Sequence, residues 1–306
     1  MAYGTPRAID EIEPYYTDIR RGRKPSREQL QELIERYELV GGHTPLLEIS
    51  QAQAVTTQDA LGPEYRVFLG MKHWHPYIYH AVEEMQTAGI VRAVGIVLAP
   101  HFSRGSVGEY IERVERAKAD LGYDLQIDVV PFWHLNEHYL NAVENHVRDA
   151  LSAFSNPDRV VLVFTAHSLP VRVVSDGDPY EEQLLETSRA LADRFDVSDD
   201  RWTFSFQSAG RTADPWLGPD IVETVERLAD KGVKDILIVP IGFISDHLEI
   251  FYDIDYEAKR AATAKGIRLE RIRSLNDDPE LVAALADVAR AVHGTARRSE
   301  GPRVQT

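Results

Sequence analysis

The sequence contains no cysteine, and this absence excludes several kinds of site. Disulfides, thiolate zinc sites, thiol nucleophiles and cysteine-held iron–sulfur clusters all need the missing side chain. Any metal ion must therefore be held by histidine, carboxylate or tyrosine side chains. We expect no iron–sulfur cluster and no permanently bound cofactor.

Basic residues are outnumbered, with 34 Lys and Arg against 49 Asp and Glu and a net charge of −15. Proteins that grip a phosphate backbone usually carry the opposite sign, so nucleic acid is not an expected partner. Long hydrophobic runs are also missing, because the longest (93–100 and 160–166) fall far short of the roughly 20 residues that span a bilayer. The opening residues do not resemble a signal peptide. We therefore expect a cytoplasmic enzyme, and we expect it to be a monomer.

The length of 306 residues favours two domains. Short β-branched runs alternate with longer amphipathic segments, a pattern typical of α/β folds with parallel sheets. The expected division is an N-terminal α/β domain at 1–125 and a C-terminal α/β domain at 126–275. A final helix at 276–295 is expected to pack on the first domain, and 296–306 to form a flexible tail.

The predicted secondary structure follows from these runs. The candidate strands are Tyr65–Gly70, Ala93–Leu98, Leu125–Val130, Arg159–Thr165, Trp202–Gln207, Asp235–Pro240 and Arg268–Arg271. The candidate helices are Ile9–Arg20, Arg27–Val40, Pro76–Ala88, Ser106–Leu121, Leu135–Phe154, Tyr180–Arg194, Pro219–Asp230, His247–Ala264 and Pro279–Val292.

The segment AYGTP at the start has the character of a loop that follows a strand. Its Gly-Thr-Pro turn leads into the first predicted helix, yet no strand precedes it. Losing a central strand would leave its two neighbours with unpaired backbone groups. We therefore expect that the first strand of the first sheet is missing and that the natural protein begins upstream of Met1.

Histidines and acids recur in the loops that follow the predicted strands. Ligands of open α/β sheets bind beyond the carboxyl ends of the strands, so these loops are where chemistry is expected. The loops are MKHWHP (71–76), APHFSRGS (99–106), AHSLP (166–170) and IGFISDHLE (241–249).

Glu249, Asp253 and Glu257 are spaced by four residues on one predicted helix. At a rise of 1.5 Å per residue they form a stripe about 12 Å long. A solvated acidic face is one interpretation of this stripe. If it lines a cleft instead, it would bind or relay a divalent cation or accept protons.

His167 directly follows the most apolar predicted strand. A histidine at a strand end is often structural, but neutral imidazole is also a common metal ligand and takes a proton near pH 7. His167 and Glu249 both follow strands of the same predicted domain. They are therefore placed to face each other.

Two further motifs carry weaker signals. HLNEH (134–138) matches the inverted zinc-protease pattern H-x-x-E-H, but that reading also needs a distant carboxylate ligand and is disfavoured. The basic run IRRGRKP (19–25), followed by Arg36, is either a solvated helix end or a site for the carboxylates of a small ligand. No phosphate loop, dinucleotide-binding glycine motif or nucleophile elbow is present.

Nine segments in consistent order resemble the cluster-free bacterial ferrochelatases, and in particular coproporphyrin ferrochelatase. They are MAYGTP, YYTDIRRGRKP, RYELVGG, GMKHWHP, VLAPHFS, FTAHSLP, GDPYEEQL, QSAGRTADPWLGPD and PIGFISDHLEIFYDIDYE, within a match from Met1 to about Leu275. The resemblance implies two similar, doubly wound, Rossmann-like domains with a porphyrin cleft between them. It also implies insertion of ferrous iron into a porphyrin in haem biosynthesis, with coproporphyrin III favoured and protoporphyrin IX as the alternative.

The resemblance also implies roles for individual residues. His167 and Glu249 would form the catalytic pair on the metal side, with Asp253 and Glu257 leading inward. Tyr3 would face the other side of the porphyrin and bind iron in the product. Porphyrin-binding positions would be Tyr3, Arg20, Arg21, Arg36, Tyr37, Thr44 (where serine is expected) and Tyr110, with Lys72 and His73 at the mouth of the cleft.

Two other functions stay open at this point. A non-catalytic porphyrin or haem carrier would need the same cleft but not the acidic stripe. A chelatase for cobalt or nickel would have the same fold with another tetrapyrrole. If the protein is a ferrochelatase, its expected partners are porphyrin and ferrous iron.

Overall fold

Two parallel sheets organise the chain in a computed structural model, which describes residues 1–175, 177–210 and 214–299. In the first sheet β1 (Arg92–Ile96) pairs with β2 (Gln126–Val130). The second sheet has the order β4-β3-β5-β6. Its strands are β3 (Val161–His167), β4 (Trp202–Gln207), β5 (Asp235–Pro240) and β6 (Arg268–Arg271), all parallel. The predicted α/β class with parallel sheets is confirmed.

Helices connect these strands and cover the sheets. They are α1 (Ile12–Ile19), α2 (Arg27–Leu39), α3 (Leu46–Leu61), α4 (Ile78–Thr87), α5 (Glu109–Leu121), α6 (Glu137–Leu151), α7 (Val171–Ser175), α8 (Tyr180–Arg194), α9 (Ile221–Asp230), α10 (Lys259–Ala264) and α11 (Pro279–Ser299). Two segments have the wider π-helical winding: π1 (Arg104–Gly108), before α5, and π2 (Ile250–Ala258), before α10. None of the described helices is long and apolar enough to cross a membrane.

The strand predicted at Tyr65–Gly70 is wrong. Residues 1–3 lie between the segment 70–73 and β1, and they hydrogen-bond to both sides: Ala2 N donates to Gly70 O at 3.0 Å, and Leu98 N donates to Met1 O at 2.9 Å. This pairing begins at Gly70, so residues 65–69 form no strand. The expectation that the natural protein begins upstream of Met1 stays a prediction.

Helix α3 has no counterpart among the predicted helices, and the burial pattern of α3 explains why. The buried residues of α3 are the polar Ser50, Gln53 and Thr57, so apolar periodicity does not mark its inner face. The final helix α11 contacts α3, α6 and β1. It continues to Ser299, so the tail predicted from residue 296 begins in helix, and residues 300–306 lie outside the described residues.

β3 lies between β4 and β5, and it is the strand that places the site. Its residues Val161–Ala166 are buried, with hydrophobic side chains packed on both faces of the sheet, as the continuous apolar run predicts. Only His167, its last residue, is half-buried. The first polar side chain of β3 to reach solvent therefore stands at the carboxyl edge of the sheet.

Candidate active site at the carboxyl edge of the second sheet

His167 and Glu249 meet where β3 and β5 end. The imidazole Nε2 of His167 lies 3.5 Å from Oε1 of Glu249, and both side chains are about one-third exposed. β3 and β5 are neighbours, so the loop that follows β5 returns over the end of β3. The structure therefore brings together the two residues that the sequence singled out.

A glycine allows this loop to pass close to β3. A Cβ on Gly242 would lie 2.5 Å from Cβ of Ala166 and 2.9 Å from its Cα, a separation that no larger residue tolerates without a backbone shift. Further along, Gln207 Nε2 donates to the carbonyl of Glu249 at 3.3 Å, and Thr165 Oγ1 donates to Gln207 Oε1 at 3.0 Å. The ends of β3 and β4 thus fix the backbone of Glu249.

Glu249 lies between two imidazoles. Its Oε2 is 3.5 Å from Nε2 of His247, a residue that the sequence analysis did not select although it stands two positions before Glu249. Burial opposes ionisation of Glu249, but His167 and His247 outweigh it and hold the pKa of the carboxyl well below its usual range. Glu249 is therefore an anion at neutral pH.

His167 has the complementary shift. Burial acts to lower the pKa of its imidazole, yet the charge and hydrogen bond of Glu249 raise it overall. Nδ1 donates to the carbonyl of Ser168, and the carbonyl of His167 accepts a hydrogen bond from Tyr180 Oη at 3.1 Å. The ring is thus oriented with Nε2 toward Glu249, and the carboxylate of Glu249 and the protonated imidazole of His167 stabilise each other.

The acidic stripe continues into π2, and it is not a solvated face. Asp253 is buried and accepts a hydrogen bond from Ser208 Oγ. Burial and the charge of Glu249 raise the pKa of Asp253 to about 7, against the opposing effects of Ser208 and Arg36. Asp253 is therefore partly protonated at neutral pH. Burial raises the pKa of Tyr252, and the charge of Glu257 adds to this effect. The carboxylate of Glu257 therefore acts on the phenol of Tyr252.

Tyr3 lies at the carboxyl edge of the other sheet. Its ring centroid is 4.7 Å from that of His73 and 5.1 Å from Nζ of Lys72. Although Tyr3 is 40% exposed as a residue, burial of its phenol raises its pKa above the usual value, and the charge of Glu249 adds to the effect. Tyr3 and Glu249 are therefore close enough to interact electrostatically, although they come from different sheets.

Lys72 and His73, expected at the mouth of the cleft, are both buried, with 3% and 4% exposure. Their backbone N–H groups donate to Ala2 O and Tyr3 O at 2.8 Å, which draws the segment into the sheet edge. Lys72 Nζ donates to Glu109 at 3.0 Å, and His73 Nδ1 lies 2.7 Å from Asp18 Oδ2. Lys72 and His73 both pack against the ring of Tyr3.

Tyr37 and Thr44 belong to a buried hydroxyl network. Thr5 Oγ1 lies 2.9 Å from Thr44 Oγ1 and 3.3 Å from the phenol oxygen of Tyr37. Burial raises the pKa of Tyr37 to about 12. Thr5 was not among the predicted site residues, because its only signal was its place in the segment MAYGTP.

The three arginines expected near substrate carboxylates have different surroundings. The guanidinium of Arg20 lies 5.6 Å from the ring of Tyr16, at the end of α1. Arg21 is exposed and reaches Glu109. Arg36 lies 4.6 Å above the ring of Tyr252, so the structure places it beside the acidic stripe rather than beside Arg20 and Arg21.

The two histidines of HLNEH do not converge. Asn136 caps α6, so His134 lies before the helix, where it contacts Glu186 at 2.9 Å. His138, inside the helix, contacts Glu280 at 2.8 Å. Among the residues that the structure describes, no group of three or more His, Asp or Glu side chains is arranged to hold a metal ion.

Two solved structures share the fold of this chain. The chelatase SirB from Bacillus subtilis, solved with Fe3+, superposes with a TM-score of 0.57 at 17% identity, over 83% of this chain and 92% of that one. Sirohydrochlorin chelatase SirB from Bacillus subtilis subspecies spizizenii, in complex with cobalt, gives 0.55 at 13% identity, over 79% and 88%. The chain has the chelatase fold.

Sequence comparison identifies the family. A family model described as ferrochelatase matches residues 1–292. Ferrochelatases of Herpetosiphon aurantiacus and Thermus thermophilus are each 43% identical, over 94% and 95% of this chain and 96% and 97% of their own. A coproporphyrin III ferrochelatase of Halalkalibacterium halodurans is 40% identical over 94% of both chains. The chain belongs to the ferrochelatase family, and it is a metal-chelatase lyase of haem biosynthesis.

Proposed function

We propose that the protein inserts ferrous iron into coproporphyrin III and that His167 and Glu249 carry out the insertion. The observation that carries the proposal is the 3.5 Å contact between these side chains at the edge of the second sheet. Metal insertion needs a group that replaces water on iron and a group that accepts the pyrrole protons. An imidazole or a carboxylate can bind iron or accept a proton, but one group cannot do both at the same time.

The charges of the pair support a first step in which Glu249 binds iron. Glu249 is an anion, whereas the pKa of His167 is raised, so the carboxylate is the group ready to meet a cation. Ferrous iron at Glu249 would disfavour the imidazolium of His167 by repulsion, and its proton would leave to solvent. His167 is then neutral beside the bound metal.

The second step reverses this electrostatic effect. As iron moves from Glu249 into the porphyrin, the free carboxylate again raises the basicity of His167. The imidazole therefore becomes a better proton acceptor at the moment when the pyrrole protons are released. One pyrrole proton passes to His167, and the other passes to Glu249 or through it to solvent.

The acidic stripe is the proposed route for iron. Asp253 lies one helical turn from Glu249, and Glu257 follows it. A carboxylate must lose its proton to bind a metal ion, and because the pKa of Asp253 is about 7, protons compete with iron for Asp253 at neutral pH. Tyr3, on the other sheet, is the proposed axial ligand on the far side of the porphyrin.

The cations support coproporphyrin III over protoporphyrin IX. Coproporphyrin III carries a propionate on every pyrrole ring, whereas protoporphyrin IX carries propionates on one side only. Arg20 and Arg21 lie at the end of α1, and Arg36 lies separately over Tyr252. Propionates on all sides of coproporphyrin III could bind both the Arg20–Arg21 pair and the separate Arg36. Relatives named coproporphyrin III ferrochelatase share about 40% of their residues with this chain.

A comparison of substrates tests the proposal. Purified protein is mixed anaerobically with ferrous iron and either porphyrin, and the porphyrin absorbance is followed. We expect kcat/KM for coproporphyrin III to exceed that for protoporphyrin IX at least about tenfold, because protoporphyrin IX lacks two of the propionates and leaves cations of the protein without a partner. Equal values contradict the substrate assignment. Coproporphyrin binding without insertion indicates a carrier, and insertion of cobalt or nickel in preference to iron indicates a different chelatase.

A further inference from the structure

The carboxylate of Glu109 lies between two cations that the sequence keeps far apart. Its Oε1 accepts a hydrogen bond from Arg21 Nη2 at 2.7 Å, and its Oε2 accepts one from Lys72 Nζ at 3.0 Å. Each oxygen thus has one cation of its own. Glu109 could therefore lose one of these two cations and keep its contact with the other.

The two halves of this contact differ in strength. The Lys72 side chain is only 4% exposed and lies over the rings of Tyr3 and Tyr110, so its cation depends on Glu109. The Arg21 side chain is 78% exposed. Exposed ion pairs are weak, whereas a buried cation without a partner is costly. The Arg21 half is therefore the one that another anion can replace.

The backbone holds Arg21 in position for this exchange. Arg21 has a φ of 56°, in the left-handed region that few residues other than glycine adopt. The turn is closed by hydrogen bonds from Arg21 N to Asp18 O and from Gly22 N to Thr17 O, both 2.9 Å. The guanidinium consequently reaches from the end of α1 to the first turn of α5.

We infer that Glu109 occupies, in the substrate-free protein, the place of a substrate propionate on Arg21. An incoming propionate displaces Glu109 from Arg21 only, while Glu109 stays on Lys72 and keeps that buried cation neutralised. The inference rests on the proposed function, because it requires Arg21 to meet a carboxylate of the porphyrin. Glu109 is then a specificity-determining residue, since an uncharged porphyrin edge cannot compete for Arg21.

Titration with metal-free coproporphyrin III, followed by fluorescence, tests the exchange. Glu109→Gln removes the competing charge, and Glu109→Asp keeps a charge for Lys72 but is too short to reach both cations. We expect both variants to bind coproporphyrin III about two- to fivefold more tightly than the parent, the range of a weak exposed ion pair. The gain should disappear in an Arg21→Ala background and with coproporphyrin III methyl ester.

A matched control uses the same helix. Glu115 also lies on α5 and contacts Lys118 at its exposed side, so Glu115→Gln changes the net charge equally and should leave coproporphyrin binding unchanged. Weaker or equal binding by both Glu109 variants overturns the inference, and so does a gain that persists without Arg21. If neither variant folds, Arg21→Ala alone decides, and unchanged binding of coproporphyrin III by that variant overturns the inference.

These titrations contain no iron, so they separate the inference from the proposed function. A parent protein that binds coproporphyrin III but does not insert iron contradicts the proposed function, and the binding comparison still decides the role of Glu109. A parent protein that does not bind coproporphyrin III contradicts both.

Discussion

Arg271 contacts both Asp246, which precedes Glu249 in the chain, and Asp255, which follows it. Its Nε and Nη2 lie 3.0 and 2.9 Å from the two oxygens of Asp255, and its Nη1 lies 3.4 Å from Asp246 Oδ1. The Arg271 side chain is 13% exposed. One guanidinium from β6 therefore holds the backbone on both sides of Glu249.

We predict that Arg271→Gln lowers kcat for iron insertion by about tenfold or more, because small displacements of reacting groups are expensive. Affinity for coproporphyrin III should stay within about twofold, since Arg271 lies outside the proposed porphyrin contacts. Arg271→Lys should restore part of kcat through its charge, but not all, because it lacks the bidentate geometry. Steady-state kinetics below the unfolding temperature, together with porphyrin titration, would measure both quantities.

Arg268 provides the control for this prediction. It lies on the same strand, is exposed and contacts Glu270 at 3.3 Å. Arg268→Gln should leave kcat unchanged. An unchanged kcat in Arg271→Gln would show that Glu249 does not depend on this contact.

We predict that His167→Ala abolishes metal insertion while coproporphyrin III still binds. His167 is half-buried at a strand end. Its truncation should therefore lower the free energy of unfolding by less than the roughly 2–5 kcal/mol typical of a core truncation. His138→Ala, which removes a partly exposed imidazole on α6, is the matched control. Turnover of His167→Ala within about tenfold of the parent would make His167 a structural residue.

Asp253 should make iron affinity depend on pH. Burial and the charge of Glu249 raise its pKa to about 7, so the carboxylate that attracts iron is present above that pH and protonated below it. The apparent KM for ferrous iron should therefore fall as pH rises from about 6 to about 8. Asp253→Asn should weaken iron affinity more than it slows saturated turnover, and it should flatten this pH profile.

The exposed Asp230, at the end of α9, provides a variant of equal charge, Asp230→Asn, that should keep the parent profile. Glu257→Ala should also raise the KM for iron. If the Asp253 and Glu257 variants both match the parent at limiting iron, the stripe has no part in metal delivery.

Arg20 should contribute to porphyrin affinity through a propionate. A charge-assisted hydrogen bond to a carboxylate contributes about 1.5–3 kcal/mol, so Arg20→Ala should bind coproporphyrin III about ten to a hundred times more weakly. Esterifying the propionates should erase the difference between variant and parent. Lys24→Ala, which removes a cation that contacts Glu13, is the control. A difference that persists with the ester would assign Arg20 another role.

Local patterns predicted much of the second sheet and the residues at its edge. The strand β3 is a continuous apolar run, and the polar residue that ends it, His167, was visible for that reason. The spacing of Glu249 and Asp253 was equally visible, although π winding rather than regular α-helix carries Asp253.

Other features depend on contacts between distant segments, which no local pattern records. Glu109 has the same appearance in the sequence as other surface acids of α5, yet it meets cations 37 and 88 residues away. Gln53 was hidden because its buried amide contacts Ser245 in the second half of the chain. The burial of Lys72 was unexpected because it results from pairing with residues 1–3.

The most direct test of the account is a double-mutant cycle on the catalytic pair. The rate of iron insertion into coproporphyrin III is measured anaerobically in a single turnover for the parent, His167→Ala, Glu249→Gln and the double variant. If the two residues act as one unit, the double variant should be no slower than the slower single variant. Losses that multiply in the double variant, or single variants that keep the parent rate, would contradict a shared role of His167 and Glu249 in metal insertion.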